Sequence, residues 1–211
     1  MSDAPRYTVP GLPTSSGPQV FDLLQVRLHA LNDLSRTRKH VHWNVAGPHF
    51  IAVHERLDPQ VESVRGTADS TAERIATLGG SPCGTPGVLV AERTWSDYSV
   101  GRSDAIEHLG ALDLVYTGVI EGHRNAMATT DDLDLVTQDM FIEHLRQLEL
   151  FQWFVRAHLE NASGTLSPAD AATTGSGSRS PPTRTEPGED SPPLLPCPAH
   201  HRLEPHDAPQ R

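Results

Sequence analysis

Cysteine is scarce in this chain: two residues, Cys83 and Cys197, in 211. Two cysteines cannot make a disulfide framework, and one falls in a proline-rich tail, so a reducing compartment is the simpler expectation. Aromatic residues make up only 5% of the sequence. Positive charge is outweighed too, with 17 Lys and Arg against 27 Asp and Glu, for a formal net charge of −10. That balance argues against a globally basic nucleic-acid binder and suits a cation-handling protein or a plain soluble one equally well. No apolar run approaches the roughly 18–20 residues that a membrane span requires. The N-terminus lacks the basic and apolar regions of a signal peptide. The expectation is a cytoplasmic protein, with the membrane, disulfide-rich secreted and collagen-like classes excluded.

Proline, by contrast, is abundant and unevenly placed. Residues 164–211 hold ten of the 18 prolines and no aromatic residue, and include Gly-Ser-Gly-Ser at 175–178. Such a segment buries too little apolar surface to offset its ordering entropy and is expected to be disordered. Its four arginines and six acids leave it acidic. Residues 1–16 form a shorter, flexible Pro/Ser arm, also without a basic cluster. The folded domain is therefore expected over 17–163.

That domain reads as helices. Phe21, Leu24, Leu28 and Leu31 keep the i, i+3, i+4 rhythm behind the start signals Ser16 and Pro18, in a first helix that runs to about Asn44. Gly47-Pro48 breaks it. A second stripe runs from Phe50 through Leu57, Val64 and Ala72 to Ile75 and ends at Gly79-Gly80. After a Pro/Gly loop and a short element around Val88–Tyr98, Ser103-Asp104 opens a third long helix. Asp131–Asp134 separates it from a fourth. No period-2 strand of useful length appears. Four long helices with a short extra element in the middle connection predict an all-α four-helix bundle.

The second helix carries the chemistry. With His54 at zero and about 100° per residue, Asp58 falls near 40°, Asp69 near 60° and Glu73 near 100°, beside the apolar stripe. A solvated helix also shows a polar band, but it normally mixes signs for i, i+4 pairing. An acidic band with imidazole is the donor set of an Fe, Zn or Mn site. Asp58 and Asp69 are about 16 Å apart along a helix, and metal bonds are about 2 Å long, so one straight helix cannot gather all four. They divide into two i, i+4 pairs, His54/Asp58 and Asp69/Glu73. An antiparallel copy across a two-fold axis near residues 63–64 would set one pair against the other and give two equivalent intersubunit sites. Pro59 and Gly66 threaten a kink, yet the stripe passes both in phase. His42, at the end of the first helix in His-Trp-Asn, reads more readily as structural than as a ligand when taken alone. His29, His40 and His49 read as structural or surface. No Glu-x-x-His, the signature of di-iron sites built within one bundle, occurs in the chain.

His-Trp-Asn at 42–44, a histidine twelve residues after the first, Asp58 four later and the Asp69/Glu73 pair together resemble the Dps family, the DNA-binding proteins from starved cells. The segments 84–102 and 133–160 look like actinobacterial members, and the resemblance covers about residues 7–163. It implies a ferritin-like subunit in a hollow twelve-subunit shell with ferroxidase centres at two-fold interfaces. Fe(II) would be oxidised there, by hydrogen peroxide or oxygen, and stored as ferric mineral, protecting the cell from oxidative damage. The implied iron ligands are Asp69 and Glu73 with His42 from the partner, and His54 with Asp58 for the second iron. Trp43 is a candidate radical trap, with interface packing as the plainer role. DNA binding, the family's second activity, is expected to be weak or absent near pH 7, because four scattered arginines beside six acids offer few phosphate contacts. The alternative is a nucleoid-compacting protein with secondary iron chemistry. Asp131, Asp134 and Asp139 are candidates for an acidic iron-uptake pore at a three-fold axis, or simply for helix capping.

Overall fold

The computed structural model describes residues 9–160 apart from Thr14. The expected tail, 164–211, and residues 1–8 of the expected arm lie outside the described residues. The helices are α1 (Gly17–Asn44), α2 (Phe50–Thr77), the short α3 (Pro86–Glu92), α4 (Ala105–Thr130) and α5 (Leu135–Leu159). α1 packs along α2 and α4 along α5, and α1 also lies against α4, giving the four-helix bundle with an extra helix in its middle connection.

Local chemistry sets the helix ends. Asp104 caps α4, its carboxylate accepting from the Ile106 and Glu107 amides at 2.8 and 3.0 Å. α2 ends in a Schellman motif. Gly79 takes φ +86°, its N–H donates to Ala76, and the Gly80 N–H donates to Ile75. α2 passes Pro59 and Gly66 unbroken, and Leu57, Val61 and Val64 stay buried on one face. Gly47, at φ +88°, makes the turn between α1 and α2. Just before it, Val45–Ala46 (β1) pairs in parallel with Ser103–Asp104 (β2), tying that turn to the start of α4. A two-residue bridge has no sequence period to betray it.

One core runs through the bundle, with Leu24 and Leu31 from α1, Val64 and Ile75 from α2, Tyr116 from α4 and Phe141 from α5 all nearly or fully buried. Val9 and Leu12, placed by the sequence in a flexible arm, pack against it. Polar side chains interrupt the apolar interior, Arg38 and two histidines among them. Arg38 is fully buried, hydrogen-bonded to Gln60, with its guanidinium 5.5 and 5.0 Å from the Tyr116 and Phe151 ring centres. Burial lowers its pKa to about 10, so it stays charged at neutral pH. His123 on α4 and His144 on α5 are also buried, with ring centres 6.1 Å apart. Burial pulls their pKa values down to about 3 and about 4.

The two histidines set an acid limit on stability. Their folded pKa values lie below the unfolded value of about 6.5, so the folded state binds fewer protons. Their contribution is complete above pH 6.5 and is lost as pH falls toward 4, with a limiting slope of about 1.4 kcal/mol per pH unit for each. Denaturant unfolding between pH 7 and 4 should therefore show stability falling with pH. The slope should be shallower in a His123→Leu/His144→Leu variant, and equal slopes would remove the histidines from the account.

Candidate metal centre

The five-residue turn from α1 to α2 sets His42 beside His54. Each ring Nδ1–H donates to the other residue's backbone carbonyl, His42 to His54 at 3.0 Å and His54 to His42 at 2.9 Å. The rings stack 3.6 Å apart at 20°. A carbonyl only accepts, so both Nδ1 atoms carry the proton and the Nε2 atoms are left as ligand atoms, the usual device for orienting a metal-binding histidine. His42 is buried and His54 half-buried.

Asp58 sits one turn along, its Oδ1 3.3 Å from His42 Nδ1 and 2.7 Å from Lys39 Nζ. Lys39 is the only lysine in the chain. Its hydrogen bond is the largest influence holding the Asp58 carboxyl below the ordinary range, aided by the charges of His42, Lys39 and His54. Sequence reading passed over Lys39, although its place three residues before His42 was a signal. Trp43 is exposed, its ring centre 5.8 Å from Lys39 Nζ. It therefore adds no core packing within one chain.

Asp69 and Glu73 lie farther along α2, exposed, and their carboxylates have no partner among the described residues. The nearby arginines are engaged elsewhere, Arg65 with Glu62 and Arg74 with Asp134. Two like charges at i, i+4 repel, so this pair lacks the cation that an ordinary surface helix would supply. Among the described residues no group of three or more His, Cys, Asp or Glu is arranged to hold a metal ion. A single chain thus brings together His42, His54 and Asp58 but not Asp69 and Glu73.

The acidic residues before α5 divide. Asp131 and Asp139 are exposed, Asp131 accepting from Gln138 at 2.8 Å. Asp134 is buried and caps α5, accepting from the Val136 amide, the Thr137 hydroxyl and Arg74. Burial pushes its pKa up, but the bonds from Thr137 and Arg74 outweigh this and leave it lowered. Its contacts are those of a cap and an ion pair, which was the capping side of the expectation.

Residues 21–164 match the family described as ferritin-like domain. The DNA protection during starvation protein of Mycolicibacterium smegmatis is 60% identical over 161 residues, 76% of this chain and 88% of that one. The chain belongs to the Dps family. Among solved structures, DpsA14 from Streptomyces coelicolor is 61% identical, with a TM-score of 0.77 over 79% of this chain and 99% of that one. The Dps of Microbacterium arborescens, solved in a high-iron form, is 30% identical, with a TM-score of 0.66 over 69% and 95%. This Dps chain therefore has actinobacterial relatives, as the segments 84–102 and 133–160 suggested.

Carbon-13 NMR of the carboxylates should show Asp58 titrating below the ordinary aspartate range. In Lys39→Met its midpoint should rise toward about 3.9. An unmoved midpoint would transfer the effect to His42 and His54.

Proposed function

We propose that the protein is a ferroxidase and iron-storage mini-ferritin, working as a shell of twelve copies in the cytoplasm. The observation that carries the reading is the division of donors along α2. His42, His54 and Asp58 cluster at one end, and the uncompensated Asp69/Glu73 pair waits at the other. A second copy across a two-fold axis joins them. Fe(II) is the substrate. Asp69 and Glu73 with the partner's His42 hold one ion, and His54 with Asp58 helps bind the second. Asp58 must first give up Lys39, so that end is the weaker binder. Carboxylates suit both oxidation states, and imidazole favours capture of Fe(II). Each Fe(II) yields one electron; the O–O bond of hydrogen peroxide takes both and, with two protons, leaves as two waters. Pairing the electrons in this way avoids a free hydroxyl radical, and exposed Trp43 is placed to intercept stray oxidising equivalents. Asp131 and Asp139 serve iron uptake by concentrating Fe(II) at the shell surface.

Stopped-flow Fe(II) oxidation tests both assignments. Asp69→Ala/Glu73→Ala should lose at least tenfold in rate with the shell intact, and Asp131→Asn/Asp139→Asn should slow uptake at low ionic strength only. Wild-type rates in the first variant would end the ferroxidase reading, and wild-type uptake in the second would end the pore reading.

A second reading, DNA binding and nucleoid compaction, draws on the name of the mycobacterial relative, DNA protection during starvation protein. The net charge of −10 opposes it. Gel shifts across a salt series should give weak or no duplex binding near pH 7. Tight binding at physiological salt, lost on deleting 164–211, would establish the tail as the DNA contact.

A further inference from the structure

Away from the proposed α2 ligands, three buried imidazole nitrogens among the described residues have no hydrogen-bond partner, His108 Nε2 and two that lie where α4 packs on α5. His123 Nε2 and His144 Nδ1 are buried and lack any hydrogen-bond partner. The hydrogen bonds on the opposite sides of the rings fix what those atoms are. His123 Nδ1 faces the Val119 carbonyl at 2.9 Å, so it carries the proton and Nε2 is a bare lone pair. Ser70 has one hydroxyl proton, which goes to the Thr67 carbonyl at 3.0 Å. The 3.3 Å contact between Ser70 Oγ and His144 Nε2 is therefore donated by the histidine, and His144 Nδ1 is the second bare lone pair. A buried acceptor without a donor costs about 1–3 kcal/mol, and here two occur on rings packed against the same phenylalanine, Phe141.

The spacing has chemical meaning. Two metal–nitrogen bonds of about 2 Å, with roughly 1 Å more from each nitrogen to its ring centre, put two imidazoles on one linear ion about 6 Å apart. The ring centres of His123 and His144 are 6.1 Å apart. Charge narrows the ion. Among the described residues no carboxylate bears on either ring, and the cation Arg27 is the strongest charge acting on His123. Arg27 is admitted there by Gly122, where a Cβ would collide with the guanidinium. A divalent ion would enter uncompensated beside a positive group, whereas a monovalent ion bears the smallest such penalty. Burial favours the neutral imidazoles that a metal needs.

We infer that His123 and His144 form a buried two-coordinate site for a soft monovalent cation, of which copper(I) is the biological example. The site lies inside one bundle and needs no second subunit, unlike the Fe(II) centre. Because both rings are closed off from solvent, loading proceeds through local opening of α4 and α5 and is slow.

The test is anaerobic titration of the assembled full-length protein with copper(I) against a chromophoric copper(I) chelator. The wild type and Asp69→Ala/Glu73→Ala should each retain one tightly held ion per subunit, with two nitrogen neighbours at about 2 Å by X-ray absorption. His123→Leu and His144→Leu should each weaken that ion at least tenfold. His123→Gln, which keeps a polar side chain, serves as a second variant should leucine disturb folding. The inference is overturned if the wild type takes up no copper(I). It is equally overturned if uptake survives in the histidine variants or disappears with Asp69 and Glu73.

Discussion

An α-helix advances about 1.5 Å per residue, and α2 carries the two proposed ligand pairs at positions 54/58 and 69/73. The rigidity of a 28-residue helix keeps them apart. The same stiffness serves the core, because Leu57, Val61, Val64, Ala68 and Ile75 lie buried along one side of that element. α2 cannot bend to gather both proposed ligand pairs without tearing its apolar face from α1. Pro59, where a bend would start, sits in a helix that stays continuous. Fold and proposed site are thus governed by one constraint: packing fixes the ladder on which the proposed donors are mounted, and under the proposed function the missing half of each set comes from another copy.

The other end of that ladder is held by a clamp. The Gly47 turn returns the chain, the β1–β2 bridge fastens the turn to α4, and the paired histidine–carbonyl bonds join the last turn of α1 to the first turns of α2. Removing either imidazole would orphan a carbonyl and take away a proposed ligand atom, so geometry and chemistry would fail together there. Arg38 and Gln60 add a further link between α1 and α2, on the interior side.

Most of this was legible in the sequence wherever a period or a stop signal carried it. The long helices begin and end at the Ser16-Pro18, Gly47-Pro48, Gly79-Gly80 and Asp104 signals, and His54, Asp58, Asp69 and Glu73 lie on α2 outside its buried face. What escaped has a common physical cause, since each case depends on contacts between residues distant in sequence. Lys39 meets Asp58 nineteen positions on, Arg38 is held by Gln60, Tyr116 and Phe151, and Asp134 is buried because Arg74 reaches it. His123 and His144 stand on different helices, far apart in sequence. Only the packing of α4 against α5 makes them neighbours. Val9 and Leu12 were assigned to an arm by composition, although two apolar side chains suffice to anchor a short segment on an existing core.

Lys39 has a consequence set by composition as much as by position. With a single side-chain amine in the chain, side-chain acylation is a site-directed reaction without any engineered residue. Lys39 is partly accessible, with 24% of its side chain exposed. A reagent or enzyme that neutralises lysine would thus change the charge beside Asp58 and touch no other side-chain amine in the chain.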